Sequence, residues 1–599
     1  MKTAFKKVLS VLLAISMLAG VAAVGAYAAD EKATKAPVSV NELERDEVYP
    51  TIIIHGIGQA DTYLADENGD PVYDEDGNEV TGWPIYVNVT DLITDLILPL
   101  LFTLVTQRDC GLSDAIYDAV IDQLSLSAAG DDGEPLNNIV VKGYDGRPIS
   151  ECTEEEKEEI YDSVPLENYA AEVGEEYLYY FAYDSFGDTY KIVDQLEAII
   201  EKAERETGKD KVNLIPISLG GAVATAYIGE NPDGEEINKI VFIVPALDGS
   251  EIVGKVMANE LDYSDTGLYR DMFTKLVGED DYTGWLINIA VRTLPKEVLV
   301  DVFSSLATGL SAGLLSKSVN MWGLVPNAMY DELAAEYLTE GTALKAKADR
   351  FHAAQSNLVK NLYNYEKNGV KIYDISAYGL ELYSLIDSDS NSDKIIHSSS
   401  TSMGATFSAV DGTLGEDYVQ QNYKEYNFLS PDGQVDASTC AFPKTTWFFG
   451  GQDHEKIGHN DVVIRLATDL LLVDEMDVFT TVEYPQFNGH RNDKNARKLI
   501  KAAGEVDRTD LTAEQITMLD SATAKVSAVL DKTVIVEGEL DAAEAELTNA
   551  LIEVGAWEKE SDALDKILLV ICRTASEFVL EYWGPRGFTD SFSDALKQY

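Results

Sequence analysis

Cysteine, histidine and positive charge are scarce in this chain of 599 residues. The four cysteines, Cys110, Cys152, Cys440 and Cys572, are too few for a disulfide scaffold. They permit at most two bridges, and the sequence does not choose among the pairings. No Cys/His cluster has zinc spacing and no glycine-rich phosphate loop is present, so neither a metal nor a cofactor is expected. Lys and Arg number 46 against 104 Asp and Glu, a net charge of −58. That balance excludes nucleic acid as a partner, because phosphate recognition needs a basic footprint, and it removes long-range attraction to anionic lipid. A hydrophobic fraction of 45% excludes wholesale disorder. The length excludes a single core, since cores stop growing near about 250–300 residues.

The N-terminus carries an address. Lys2, Lys6 and Lys7 precede an apolar run from Val8 to Val21, followed by Ala26-Tyr27-Ala28. A charged segment, an apolar segment and a small-residue cleavage site predict a secretory signal peptide over residues 1–28, and hence a secreted, extracellular mature protein. Residues 61–80 are rich in Asp, Glu and Gly and read as a solvated surface excursion. The Asp74-x-Asp76-x-Asn78 spacing there is weaker evidence for calcium than for an acidic loop. Leu92 to Val105 is strongly apolar and interrupted by Pro99, which predicts a buried or amphipathic helix pair and not a membrane span.

Alternating elements follow. Thr51-Ile52-Ile53-Ile54 is apolar without interruption, as in a strand buried on both faces. Tyr179–Tyr183, Val212–Ile215, Ile240–Val244, Val370–Tyr378 and Thr445–Phe449 read as further strands. Ile192, Leu196, Ile199 and Ile200 mark one face of an intervening helix. Strand, helix, strand implies an α/β fold, a mostly parallel sheet with right-handed crossovers and helices on both faces. Residues 260–365 are helical in pattern and rich in apolar side chains. Residues 505–555 are polar, acidic and free of aromatics, with Leu540, Ala543, Leu547, Ala550, Leu551 and Val554 at helical spacing. Residues 556–599 hold another amphipathic helix, Ile567 to Trp583.

The chemical signal is Pro216-Ile217-Ser218-Leu219-Gly220-Gly221, set between a strand and a helix. A serine hydroxyl is a poor nucleophile alone and must be presented on a sharp turn beside a base. Small neighbours let the backbone turn tightly, and the following helix N-terminus supplies oriented N–H groups.

With these pieces and Ile52-Ile53-Ile54-His55-Gly56, Tyr183-Asp184 and Lys211 to Ile215, the chain resembles the α/β-hydrolase superfamily. Within it, the similarity is to lipases and lecithin:cholesterol-acyltransferase-like members, and it covers roughly residues 50–250 well and 370–475 more loosely. The departure from the family's G-x-S-x-G is Pro216 at its first glycine. The resemblance implies that Ser218 is the nucleophile and that the backbone N–H groups of Ile57 and Leu219 form the oxyanion hole. It also implies that an acid and then a histidine follow the serine in the chain. His55 precedes the serine and reads as a loop-fixing side chain.

Two assignments of acid and base stay open. In the favoured one, Asp393-Lys394-Ile395-Ile396 with Ser398 and Ser399 resembles the family's D-G-x-V followed by serines, with Lys394 in place of glycine. His454 then follows the last strand, Thr445 to Phe449. In the other, the acid is Asp453 or Asp461, Val478–Val482 is the last strand and His490 is the base. His352 lies in a helical run and His459 reads as a surface residue.

The expected protein is a 29–500 α/β-hydrolase domain carrying a helical lid insertion at about 260–365. A C-terminal module at 505–555 follows, resembling FIVAR-like helical hairpins. The expected activity is hydrolysis of a small ester or lipid substrate, through a Ser-His-Asp triad and an acyl-enzyme. The resemblance also leaves acyl transfer open. A non-catalytic adhesion protein on the same fold is the alternative from another class, with the C-terminal module touching a cell surface or polysaccharide.

Overall fold

The computed structural model describes residues 37–557, except 75–76, 85–88, 145, 278–281, 384, 411, 416, 490–493, 507, 509–510 and 531–536, and also residues 572–573 and 575–576. The expected signal peptide, His490 and most of 556–599 lie outside the described residues.

Seven strands form one parallel sheet: β1 (Thr51–Ile54), β2 (Leu178–Phe181), β3 (Val212–Pro216), β4 (Ile237–Ile243), β5 (Lys371–Tyr378), β6 (Thr446–Gly450) and β7 (Phe487–Gly489). Their spatial order is β7-β6-β5-β4-β3-β1-β2, and every neighbouring pair is parallel. The chain has an α/β fold. Successive side chains of a strand point to opposite faces, and here both faces are covered. Ile52, Ile54, Leu214, Phe242 and Ile372 pack in one core with the helices Thr189–Thr207, Leu219–Glu230 and Ala343–Lys367. Ile53, Tyr180, Ile215, Val241 and Ile375 pack in the other, with Glu154–Ser163 and Asp461–Leu472. This two-sided burial is why the strands read as unbroken apolar runs.

The order places a switch point at β1. The chain leaves β1 for β2 on one side and returns to β3 on the other. Open parallel sheets bind ligands in the crevice that such a reversal leaves at the carboxyl ends of the strands.

Between β4 and β5 lies the helical insertion, including the long apolar helix Lys296–Gly313. The last helix of that stretch, Ala343–Lys367, lies against Leu219–Glu230 and belongs to the layer flanking the sheet. Helices Lys494–Glu505, Ala513–Leu530 and Glu537–Glu553 bury a separate core of Leu499, Leu519, Val526, Leu540 and Leu547. An Arg497–Asp461 ion pair at 2.8 Å joins this unit to the sheet region.

Three local expectations change. The acidic excursion contains Thr62–Leu64, which pairs antiparallel with Thr81–Trp83 and Ile139–Val141. Val89–Thr106 is one helix with Pro99 inside it, not a pair. Proline removes one backbone donor, and packing against Leu112–Leu124 carries the helix through. Its Ile97, Leu98, Leu101, Phe102 and Val105 are exposed. Val478–Val482 forms a turn and one isolated bridge, Thr481 to Val38, and the sheet edge is β7 instead. All four cysteines are free.

A buried lysine locks the far side of the sheet. Lys239, in β4, is fully buried, and its Nζ lies 2.8 Å from Asp46 Oδ2. It donates to the carbonyls of Leu470 (3.2 Å), Leu471 (3.1 Å) and Val473 (2.6 Å) at the end of helix Asp461–Leu472. A cation there satisfies carbonyls that have no partner within the helix. Burial pulls the Lys239 pKa below its ordinary value against the opposing pull of Asp46. Lys239→Met strands Asp46 and those carbonyls together and is expected to cost about 3–5 kcal/mol. Urea unfolding of the purified variant checks this, and a loss below about 1 kcal/mol would contradict it.

Candidate functional site

Ser218 sits between β3 and the helix Leu219–Glu230 at φ 54° and ψ −119°. A non-glycine residue in that region carries about 1–3 kcal/mol of strain and persists only where its surroundings over-determine it. They do so here by close packing. A side chain on Gly220 would strike the Ile54 carbonyl of β1, and one on Gly221 would come within 2.6 Å of Pro245 Cβ. Gly56 leaves room for Ser218, since a Cβ there would stand 3.1 Å from Ser218 Cβ. Pro216 is accommodated, because Ile217 N–H reaches Ile54 O at 2.9 Å and Ser218 N–H reaches Ile243 O at 3.2 Å.

Three residues far apart in the chain meet at this turn. Ser218 Oγ lies 2.8 Å from His454 Nε2. His454 Nδ1 lies 2.7 Å from Asp393 Oδ2. The other carboxylate oxygen, Oδ1, accepts the N–H of Ile395 at 3.0 Å and of Ile396 at 2.7 Å. Asp393 is fully buried, and its carbonyl accepts the backbone N–H of His454 at 3.0 Å. A carboxylate only accepts, so Nδ1 carries the proton and the Nε2 lone pair faces the serine hydroxyl.

The electrostatics favour a basic imidazole. Burial alone would lower the His454 pKa, but the charge and hydrogen bond of Asp393, with Glu455 and Asp453 nearby, outweigh it, and the net shift is upward from 6.5. Glu455 is itself pushed up to about 7 by burial and by Asp453.

The loop after β1 is held rigidly. Gln59 Oε1 accepts Gly56 N–H at 2.6 Å, Ser185 Oγ accepts Gly58 N–H at 3.2 Å, and Trp83 Nε1 donates to Gly58 O at 2.9 Å. Among the described residues, neither Ile57 N–H nor Leu219 N–H donates a hydrogen bond. His55 is fully buried and stacked on Tyr183, and its Nε2 accepts Tyr183 N–H at 3.1 Å. Burial pushes its pKa down to about 4, so it fixes this loop as a neutral ring.

The remaining candidates stand elsewhere. Asp453 Oδ2 lies 3.0 Å from Lys394 Nζ, and Asp461 pairs with Arg465 and Arg497. His352 stacks on Tyr330, and His397 is buried with its Nδ1 3.4 Å from Glu251 N. Among the described residues no cluster of three or more His, Cys, Asp or Glu side chains is placed to hold a metal. Sequence reasoning missed Gln59, Ser185 and Trp83, which hold the β1 loop, and the Lys394–Asp453 pair. The only sign of that pair was a lysine where the family pattern has glycine.

No family model and no curated protein sequence matches the chain. Among solved structures it is similar to a chain of the crystal structure of the Tle4–Tli4 complex. Identity there is 12%, over 71% of this chain and 98% of that one, with a TM-score of 0.27. A likeness that distant carries no argument about activity.

The geometry sets an expectation for His454. In a 15N-histidine NMR titration its ring should lose its proton with a midpoint above 6.5, and Asp393→Asn should move that midpoint down by removing the anion that raises it. A midpoint below 6.5 in the unmodified protein would contradict the arrangement.

Proposed function

We propose that the protein is a secreted serine hydrolase that cleaves carboxylic esters, with Ser218, His454 and Asp393 as its triad. The observation that carries this reading is the unbroken chain of short contacts, 2.8 Å from serine to imidazole and 2.7 Å from imidazole to carboxylate. Ser218 Oγ attacks the ester carbonyl while His454 Nε2 takes its proton. Asp393 keeps the ring in the reactive tautomer and stabilises the imidazolium. The unengaged N–H groups of Ile57 and Leu219 receive the developing oxyanion; one such donor contributes about 10²–10³ in kcat. The imidazolium then gives its proton to the leaving alcohol, and water, deprotonated by the same histidine, hydrolyses the acyl-enzyme. Export follows from the N-terminal lysines and apolar run.

Two features favour an acyl-chain substrate. Ser218 is only 8% exposed, so an ester reaches it after a covering segment moves. We assign that role to the helical insertion. Its start is tied to the acid loop: Asp262 N–H donates to Leu385 O, and Tyr383 N–H donates to Lys394 O. The insertion also contains a π-helical turn, Gly267–Asp271, a feature frequent at functional sites. The second feature is the exposed apolar run Ile97, Leu98, Leu101, Phe102 and Val105 in the helix ending at Thr106, which also exposes Asp95. Exposed apolar patches of this kind mark interaction surfaces.

The test is turnover of p-nitrophenyl esters and emulsified glycerides of graded chain length. Ser218→Ala and His454→Ala should each lower kcat by about 10⁶-fold with circular dichroism unchanged. In the unmodified protein kcat/KM should rise with pH through a midpoint above 6.5, because only the neutral imidazole accepts the serine proton. Undiminished turnover in either variant would overturn the assignment.

A further inference from the structure

We propose that the Lys394–Asp453 ion pair is a positioning device that clamps the acid-bearing loop to the base-bearing loop and so holds Asp393 on His454. The inference rests on the hydrolase reading above and concerns two residues outside the reacting set. Lys394 follows the acid Asp393 directly, and Asp453 directly precedes the base His454. Each loop therefore contributes one member of the triad contact and one member of the ion pair, and the two pairs lie side by side across the same junction.

Three observations support the clamp. First, Lys394 has φ 87°, a conformation that glycine adopts freely and a lysine does not. A side chain held there needs compensation from its own contacts. Secondly, its Nζ lies 3.0 Å from Asp453 Oδ2 with the two side chains 12% and 5% exposed, so the pair is shielded from water. Burial pulls the Lys394 pKa down, and the charge of Asp453 opposes it. Removing one partner of a buried pair leaves the other charge uncompensated. Thirdly, both partners are anchored by their own backbones. Lys394 N–H donates to Ser392 Oγ at 3.0 Å and its carbonyl accepts Tyr383 N–H at 3.0 Å. Asp453 Oδ1 accepts Glu455 N–H at 3.1 Å and so starts the short helical turn His454–His459.

The clamp also balances charge. His454 faces Asp393, Asp453 and Glu455, while Lys394 faces Asp453, Glu455 and Lys456. Lys394 thus offsets an anion beside the imidazole. Removing it leaves Asp453 uncompensated and frees the acid loop, and with Asp393 displaced the His454 midpoint should fall. Removing Asp453 leaves an uncompensated ammonium and should lower it.

The experiment measures kcat, KM and the acid limb of kcat/KM for Lys394→Met, Lys394→Gly, Lys394→Arg, Asp453→Asn and the double variant Lys394→Met/Asp453→Asn. Lys394→Met should lower kcat by about 10²-fold, the loss typical of a displaced catalytic group, with KM within about twofold. It should shift the acid limb downward, because an Asp393 no longer held on the ring stops raising the His454 pKa, and Asp453→Asn should shift it downward too. Lys394→Arg should restore most of the rate, and the double variant should lose less than the product of its parts. Lys394→Gly separates positioning from folding, since it relieves the backbone while removing the charge. A clamp predicts a folded protein with the same loss in kcat, whereas unchanged kcat and acid limb in the folded glycine variant overturn the proposal. A readout independent of turnover is the downfield Nδ1–H resonance of His454, expected in the unmodified protein and lost in Lys394→Met and Lys394→Gly. If that resonance responds while no ester is cleaved by the unmodified protein, the clamp stands and the hydrolase reading fails. If esters are cleaved and the resonance, kcat and acid limb all ignore Lys394, the clamp fails and the hydrolase reading stands.

Discussion

A single hydrogen bond, from Ser218 Oγ to His454 Nε2, joins positions 236 residues apart and sets the demand that the rest of the structure meets. Neither group is reactive alone. The hydroxyl needs a base within reach, and the imidazole needs its proton held on the far nitrogen. Bringing them together requires β3 and β6 in one sheet, separated only by β4 and β5, with both loops leaving from the same edge. Parallel strands supply that, because all their carboxyl ends share an edge.

The approach is set by contacts that tolerate no added atom. Gly220 lets the helix after Ser218 press against the β1 backbone, and Gly56 lets the β1 loop pass the serine. These close approaches seat Ser218 against the β1 strand and the loop that follows it. On the other side, the carbonyl of Asp393 and the backbone N–H of His454 tie the acid and base loops at 3.0 Å. Strain at Ser218 is maintained because the packing on every side is dense, and density of that kind is what makes a buried site rigid.

Residues 51–54 and 212–215 were legible as strands because a parallel sheet covered on both faces leaves mostly apolar runs. Ser218 was legible because small residues cluster where a strand must turn into a helix. Asp393 and His454 could be ordered along the chain, but two assignments stayed open there, since only the fold brings His454 Nε2 to 2.8 Å from Ser218 Oγ and His490 lies outside the described residues. The antiparallel ladder formed by Thr62–Leu64 was invisible, since strands of three residues are too short to show a periodic apolar pattern. The single helix through Pro99 was misread because proline usually breaks a helix and the neighbouring helix that supports it is a tertiary feature. The partnership of Lys394 with Asp453 is fixed only by the fold, as nothing in two charged residues 59 positions apart announces a shared junction.

The most direct measurement is the site of covalent labelling by a fluorophosphonate, mapped by peptide mass spectrometry on the intact protein. An activated serine at this turn predicts one stoichiometric adduct, on the peptide containing Ser218, that disappears when His454 is replaced by glutamine. An unlabelled Ser218, or labelling that persists at the same rate without the imidazole, would contradict the account.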